Sequence, residues 1–105
     1  MGANKFDQGK PRVDLVPPEA VLELARVLGF GAQKYDARNW ELGMEWSRPY
    51  AAAIRHLLSW WSGENLDPES GLPHLSHALC NLTFLVTYTV KNTGTDDRPG
   101  AKPCA

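Results

Sequence analysis

The sequence predicts an all-α domain of three helices, with the last two paired as an antiparallel hairpin. Apolar residues recur at helical spacing in three segments, 18–35, 47–61 and 73–91. A proline stands in or next to the first turn of each segment, where its fixed φ and missing N–H are tolerated. A short loop rich in turn residues joins the second segment to the third, which favours an antiparallel pair.

The bulk composition indicates one small domain and excludes several classes of protein. The chain has 105 residues and a formal net charge of -1, whereas nucleic-acid binders usually carry a basic excess. A short helical chain buries a limited core, so we expect a homo-oligomeric helical bundle. Two cysteines make no disulfide framework, which indicates a reducing cytoplasm. No apolar run is long enough for a membrane span or a leader.

The first predicted helix follows an irregular N-terminal arm over residues 1–17. The arm contains turn residues and no sustained period. Its apolar side chains would pin it to a core, and its cations would cover a phosphate, so two readings are open. The helix begins at Pro17-Pro18, with Glu19 at the positive end of the dipole. Its apolar stripe comprises Val21, Leu24, Ala25, Leu28, Ala32 and Tyr35.

The second predicted helix begins at Ser47, a good N-cap residue. The connector before it contains Trp40 and Trp46, which are costly to expose and should pack on the helices or line a pocket. The expected core face comprises Tyr50, Ile54, Leu57, Leu58 and Trp61. Arginines, alanines, His56 and Trp60 lie away from that face, which indicates a helix that packs on two sides.

The third predicted helix begins at Pro73 and runs to Lys91, after a loop that starts with Gly63 as a left-handed cap. The expected core face comprises Leu75, Ala78, Leu79, Leu82, Leu85 and Val86. A separate stripe, as wide as a helix–helix seam, comprises His74, His77, Asn81, Phe84 and Tyr88. Residues 92–105 are polar and lack periodicity, so we expect a helical domain over 18–91 and a disordered tail.

Histidines and carboxylates crowd around the turn between the second and third helices. His74 and His77 point the same way at helical spacing, and three carboxylates lie in the loop before them. Hard ions such as Mg²⁺ prefer carboxylates, while Mn²⁺ also accepts imidazole. The candidate metal ligands are Glu64, Asp67, Glu69 and His74. The alternative is polar packing, in which His74 caps its helix and His56 bonds to the acidic loop.

The chain also contains the parts of a nucleotide site. Indoles stack on bases, and lysine and arginine hold phosphates. The candidate nucleotide-binding residues are Lys34, Arg38, Trp40, Arg48, Arg55, His56, Trp60, His74, His77 and Asn81. The alternative is that the indoles form core and the cations form surface. No nucleophile elbow or glycine-rich phosphate loop is present, so no catalytic residue is assigned.

Three stretches between Lys5 and Tyr88 resemble a known family: KFDQGKPRVDLVPPEA, FGAQKYDARNWELG and WSRPYAAAIRHLLSWWSGENLDPESGLPHLSHALCNL. They are similar to the N-terminal domain of phage dATP/dGTP diphosphohydrolases. The resemblance implies a phage or prophage origin and a link to nucleotides. In longer members the hydrolase activity is associated with a following domain similar to the all-α MazG-like pyrophosphohydrolases.

Three functions are compatible with these observations. The first is metal-dependent hydrolysis of a purine deoxynucleoside triphosphate to the monophosphate and pyrophosphate, with Mg²⁺ or Mn²⁺ as cofactor. The second is a non-catalytic sponge that sequesters a host immune signalling nucleotide, which is an anti-defence role. The third is a structural interaction module. Metal-dependent turnover would indicate the first function, and tight binding without turnover the second. If neither is observed, the third function is indicated.

Overall fold

The computed structural model describes residues 2–102 and is all-α, as the sequence predicts. The three α-helices are α1 (Pro18–Lys34), α2 (Ser47–Trp61) and α3 (His74–Lys91), and two 3₁₀ helices span Val13–Leu15 and Asn39–Leu42. Pairing of β type within residues 2–102 is limited to two isolated bridges. In that part of the chain, no helix combines the length and the hydropathy needed to cross a bilayer.

The helix boundaries follow local sequence signals. Pro18 occupies the first turn of α1, and Pro73 immediately precedes α3 with extended backbone. Gly63 follows α2 with a φ of +107°, a value that suits glycine. α3 ends at Asn92, which adopts the left-handed conformation at a φ of 53°.

Helices α2 and α3 form an antiparallel hairpin, and α1 packs on α3. Ser47 at the start of α2 lies beside Asp97, which follows α3, so the two helices run in opposite directions. Ala53 and Ala78 are among the buried residues, and such small side chains let helices approach closely. Ser76 Oγ donates to Glu23 Oε1 at 2.9 Å and so ties α3 to α1.

The buried face of α3 differs from the predicted one. Leu82 and Val86 of the expected core face are 47% and 63% exposed, whereas Tyr88 of the seam stripe is 1% exposed. His74 and His77 on the same stripe are also buried. The polar stripe packs inside because the acidic loop supplies hydrogen-bond partners for its imidazoles.

The buried face of α2 also differs from the predicted core face. Leu58 and Trp61 are 63% and 81% exposed, while Pro49 and Ala53 are buried. Exposed apolar side chains therefore lie on both helices of the hairpin and form its apolar surface. Its exposed members include Tyr50, Leu58, Trp61, Leu75, Leu82, Val86 and Val90. A surface of this kind favours association with another molecule, and the predicted homo-oligomer stays a prediction.

The two ends of the chain behave differently from each other. The N-terminal arm leaves Phe6 90% exposed and Leu15 67% exposed, so these side chains do not pin it to the core. Residues 93–98, predicted to be disordered, instead lie against the connector before α2. Trp46 N donates to Thr95 O at 2.9 Å, and the Trp46 indole donates to the Thr93 carbonyl at 2.9 Å. Residues 103–105 of the predicted tail lie outside the described part of the chain.

Candidate functional site

A cleft of about 1090 Å³ opens between α1, the second 3₁₀ helix and the α2–α3 hairpin. Most of the predicted nucleotide-binding residues line it: Lys34, Arg38, Trp40, Arg48, Arg55, His56, His77 and Asn81. Trp60 and His74 do not line it. Trp60 lies next to Trp61 with ring centroids 6.0 Å apart, and His74 is 3% exposed behind His56.

One wall of the cleft is aromatic and held in a fixed position. Trp40 stacks on Phe84 with ring centroids 4.5 Å apart and an interplanar angle of 18°. The buried Tyr88 donates its hydroxyl to the Trp40 carbonyl at 2.5 Å. Sequence reasoning placed Phe84 and Tyr88 on one stripe but did not connect them with Trp40, because the connector has no periodic pattern.

The cleft also contains two arginines with no ion pair within residues 2–102. Arg48 and Arg55 lie at positions i and i+7 of α2, which puts them about 10 Å apart along the helix axis. The other cations of the cleft have partners. Lys34 pairs with Glu69, and Arg38 lies 3.3 Å from Glu41. The arginines of α2 are therefore the cations best placed to receive an anionic ligand.

A hydrogen-bonded chain of imidazoles joins α2 to α3 beside the cleft. His56 Nδ1 and His74 Nδ1 lie 2.8 Å apart, and His74 Nε2 lies 2.6 Å from Glu64 Oε1. An ionised carboxylate only accepts, so His74 Nε2 carries the proton of that bond. A neutral His74 then presents a bare Nδ1, and His56 Nδ1–H donates to it.

The third imidazole, His77, packs against His56. Its ring stacks on His56 with centroids 4.6 Å apart and an interplanar angle of 9°. His77 Nε2 lies 2.6 Å from Ser70 Oγ and 3.8 Å from Asp67 Oδ2. Ser70 Oγ also accepts the Leu72 N–H at 3.1 Å, so it is free to donate its own proton to His77. Nothing in the sequence pattern pointed to Ser70.

Burial sets the charge states of this cluster. It lowers the pKa of His56 and of His77, because desolvation disfavours the charged imidazolium. Burial alone would raise the pKa of Asp67, but the hydrogen bond from the Ser70 N–H at 3.0 Å and the proximity of the Ser70 side chain outweigh it, and the net pKa is lowered. At neutral pH the site therefore contains neutral His56 and His77 rings beside an ionised Asp67.

The structure does not bring the four predicted metal ligands together as one set. Asp67 and His74 each offer a ligand atom within 4.8 Å of the other and of His56, which was not among the predicted metal ligands. Glu64 accepts from the opposite edge of the His74 ring. Glu69 pairs with Lys34. The group that could hold an ion is thus His56, Asp67 and His74.

Comparison with known proteins relates the chain to one family. The model of the family described as dATP/dGTP diphosphohydrolase, N-terminal, matches residues 2–98. A protein of Salmonella phage PMBT28 described as a dATP/dGTP diphosphohydrolase is 39% identical over 94 residues, which cover 90% of this chain and 32% of that protein. The chain thus spans about a third of the length of this relative. No solved structure matches.

Proposed function

Because the chain belongs to the family of dATP/dGTP diphosphohydrolase N-terminal domains, we propose that it binds a purine deoxynucleoside triphosphate in the cleft. The observation that carries the proposal is the pair Arg48 and Arg55, which face one cleft with no carboxylate partner in residues 2–102. Guanidinium groups recognise phosphate oxygens through charge-assisted, frequently bidentate hydrogen bonds. A triphosphate lying along α2 would meet both of them.

The rest of the cleft suits a purine base. Trp40 offers the aromatic edge and surface that its stack on Phe84 leaves uncovered. Asn81 Nδ2 donates to the His77 carbonyl at 2.9 Å, which orients the amide and leaves its oxygen as an acceptor. An amide oxygen accepts from the exocyclic amino group that adenine and guanine carry at different ring positions. The cleft volume of about 1090 Å³ is ample for a nucleotide.

Hydrolysis is the second candidate, favoured by one specific observation. His56 and Asp67 line the same cleft as the arginines, and the pKa shifts given above leave the imidazole neutral and the carboxylate ionised. Groups in those states can accept a proton from an attacking water. Water attack on the triphosphate would release the deoxynucleoside monophosphate and pyrophosphate. A divalent ion would neutralise phosphate charge in that reaction.

Calorimetry with dATP and dGTP tests the binding proposal. Arg48→Ala and Arg55→Ala should each weaken binding about 10- to 100-fold, since a hydrogen bond to a charged group contributes about 1.5–3 kcal/mol. Arg26→Ala is the matched control, because Arg26 is an exposed helix arginine that pairs with Glu23 and lies outside the cleft. Unchanged affinity in both cleft variants, or no binding by the parent chain, would contradict the proposal.

Pyrophosphate release under the same conditions separates the candidate functions. Turnover that requires a divalent ion supports hydrolysis. Tight binding without turnover supports a sponge, and a panel of signalling nucleotides in the same calorimeter would then identify its ligand.

We place this activity in the cytoplasm of a bacterial host, where a phage protein would meet deoxynucleotide pools.

The apolar surface of the hairpin supports assembly as a homo-oligomer. Leu75, Leu82, Val86 and Val90 are all exposed and recur along α3 at i, i+7, i+11 and i+15, which is the spacing of a helix–helix seam. A second copy of the chain presents the same stripe and would cover it in a symmetric interface. The cleft lies on the opposite, polar stripe of α3 and would stay open to a ligand in such an assembly.

A further inference from the structure

We propose that His56, His74 and Asp67 form a binding site for one divalent transition-metal ion, of the class that accepts imidazole, such as Zn²⁺ or Mn²⁺. The three residues come from three segments: His56 from the middle of α2, His74 from the start of α3, and Asp67 from the loop between them. The inference does not rest on nucleotide binding, because the ligand set is complete without a nucleotide.

The distances fit one shared ion. One ligand atom from each residue lies within 4.8 Å of the other two. Ligands of a tetrahedral zinc-like ion each lie about 2.0–2.2 Å from it, so two of them are roughly 3.3–3.6 Å apart. Binding an ion would therefore require the two histidine Nδ1 atoms, which lie 2.8 Å apart, to separate by about half an ångström, and the loop aspartate to approach them by up to about 1.5 Å.

The carboxylate behind His74 is the arrangement that metal-binding histidines use. Metal-ligating imidazoles almost always donate their other ring N–H to a carboxylate, a carbonyl or water, which fixes the tautomer and strengthens the ligand. His74 Nε2 donates to Glu64 Oε1 at 2.6 Å, and its Nδ1 points at His56. The His74 side chain is only 4% exposed, so the bare nitrogen is held in place rather than solvated.

His56 and Asp67 can both turn ligand atoms to the same point. In the ion-free chain the proton on His56 Nδ1 fills the gap to His74 Nδ1. An ion bound beside this pair would displace the proton to His56 Nε2, which leaves the ring neutral, makes both Nδ1 atoms ligands and leaves Asp67 or bound water, not His56, to accept a proton. Asp67 Oδ2 accepts the Ser70 N–H at 3.0 Å, while its Oδ1 has no hydrogen bond within residues 2–102.

Two imidazoles and one carboxylate select the kind of ion. Mg²⁺ prefers oxygen ligands and sheds its waters reluctantly, whereas Zn²⁺, Mn²⁺ and Fe²⁺ accept imidazole together with carboxylate. Three protein ligands leave further positions open on the ion. His56 and Asp67 line the cleft, so those positions would face it. His77 stays bonded to Ser70 and stacks on His56, which fixes the orientation of the His56 ring.

Titration of the metal alone tests the site. The untagged chain carries Cys104→Ser to remove a competing thiol, is stripped with a chelator, and is titrated with Zn²⁺, Mn²⁺, Co²⁺ and Mg²⁺ in a calorimeter without nucleotide. We expect one Zn²⁺ or Co²⁺ per chain, with Zn²⁺ at least about 100-fold tighter than Mg²⁺. Bound Co²⁺ should also give the visible absorption of an ion with nitrogen ligands.

Variants then assign the ligands. His56→Ala and Asp67→Asn should each abolish tight binding, and Glu64→Gln should weaken it about 10- to 100-fold through His74. Glu64 is 52% exposed at its side chain, so its substitution keeps the fold, which circular dichroism checks. Glu69→Gln is the matched control from the same loop and should bind like the parent, since Glu69 pairs with Lys34.

Three results would overturn the proposal. They are no transition-metal binding by the parent chain, parent-like binding by both Asp67→Asn and Glu64→Gln, and Mg²⁺ bound as tightly as Zn²⁺. In the first case Glu64, His74 and His56 form a structural hydrogen-bond chain only. Because the titration contains no nucleotide, its failure leaves nucleotide binding in the cleft untouched. A nucleotide titration with chelator present makes the reverse distinction.

Discussion

Residues 93–98 pack against the connector before α2, and Gly94 lies at the contact. A single methyl group added at Gly94 tests whether this packing stabilises the protein. Gly94 has a φ of +79°, and a Cβ added there would lie 2.3 Å from Met44 O and 3.1 Å from Met44 N. Both atoms belong to the backbone, so no side chain can rotate away. The change Gly94→Ala must therefore push residues 93–98 away from the connector.

The expected loss of stability follows from three contributions. Alanine in the left-handed region costs about 1–2 kcal/mol. Separating the backbones weakens the bonds from Thr95 N to Met44 O at 3.2 Å and from Trp46 N to Thr95 O at 2.9 Å, each contributing about 1 kcal/mol. The reduced freedom of the unfolded chain offsets about 0.5 kcal/mol. We expect the free energy of unfolding to fall by about 3 kcal/mol, and Tm by about 12–24 °C.

Urea denaturation followed by tryptophan fluorescence and circular dichroism measures this loss. Gly100→Ala is the control two residues beyond the segment, because a Cβ at Gly100 meets nothing within 4 Å and its φ is not positive. The control should change stability by less than about 0.5 kcal/mol. If Gly94→Ala matches the control, residues 93–98 do not dock on the connector in solution, and the reasoning is refuted.

Three further expectations are open to simple measurements. Leu82→Glu with Val86→Glu should turn the proposed oligomer into monomers by light scattering, and a parent chain that is already monomeric at high micromolar concentration contradicts the assembly. Burial raises the pKa of the Cys80 thiol from 9.0 to about 11. Alkylation of Cys80 at pH 8, measured in a Cys104→Ser chain, should therefore be about 100-fold slower in the native than in the unfolded state. Equal rates would contradict the burial of this thiol. The unfolded thiol ionises first, so this contribution to stability is complete below pH 9 and is lost as the pH rises toward about 11. Arg38 has a left-handed φ of 64°, so Arg38→Gly should raise the free energy of unfolding by up to about 1 kcal/mol while weakening nucleotide binding. A fall in stability would show that the ion pair with Glu41 contributes more than the backbone strain costs.

Local signals explain why the helix boundaries could be predicted from the sequence. Pro18, Gly63 and Pro73 act through their own backbone preferences, which the rest of the fold does not change. Ser47 lies at the predicted start of α2, but the predicted N-cap was wrong: Trp46 is the N-cap, its side chain makes no capping bond, and Asp97 accepts the Ser47 N–H at 2.9 Å. Such preferences are readable in one segment at a time.

The buried faces of α2 and α3 could not be predicted, because hydropathy does not show which of two stripes on a helix packs inside the fold. Leu82 and Val86 form the more apolar stripe of α3, yet they face outward in the single chain. His74 is 3% exposed because Glu64 meets it from a loop whose path no periodic pattern reveals. The docking of residues 93–98 was missed for a related reason: it depends on Gly43 and Gly94 allowing two distant backbones to meet.

The loop between α2 and α3 makes the candidate site and the hairpin a single structural unit. Its own backbone is closed by hydrogen bonds from Asp67 N to Leu72 O at 2.8 Å and from His74 N to Asn65 O at 2.9 Å. Opening the loop would withdraw Glu64 and Asp67 together and leave the buried His74 ring without its carboxylate, which is costly in a low-dielectric site. Loss of binding in a loop variant is therefore informative only when the fold is intact. For this reason the test of the site depends on Glu64→Gln, which changes one exposed carboxylate and leaves every backbone bond of the loop in place.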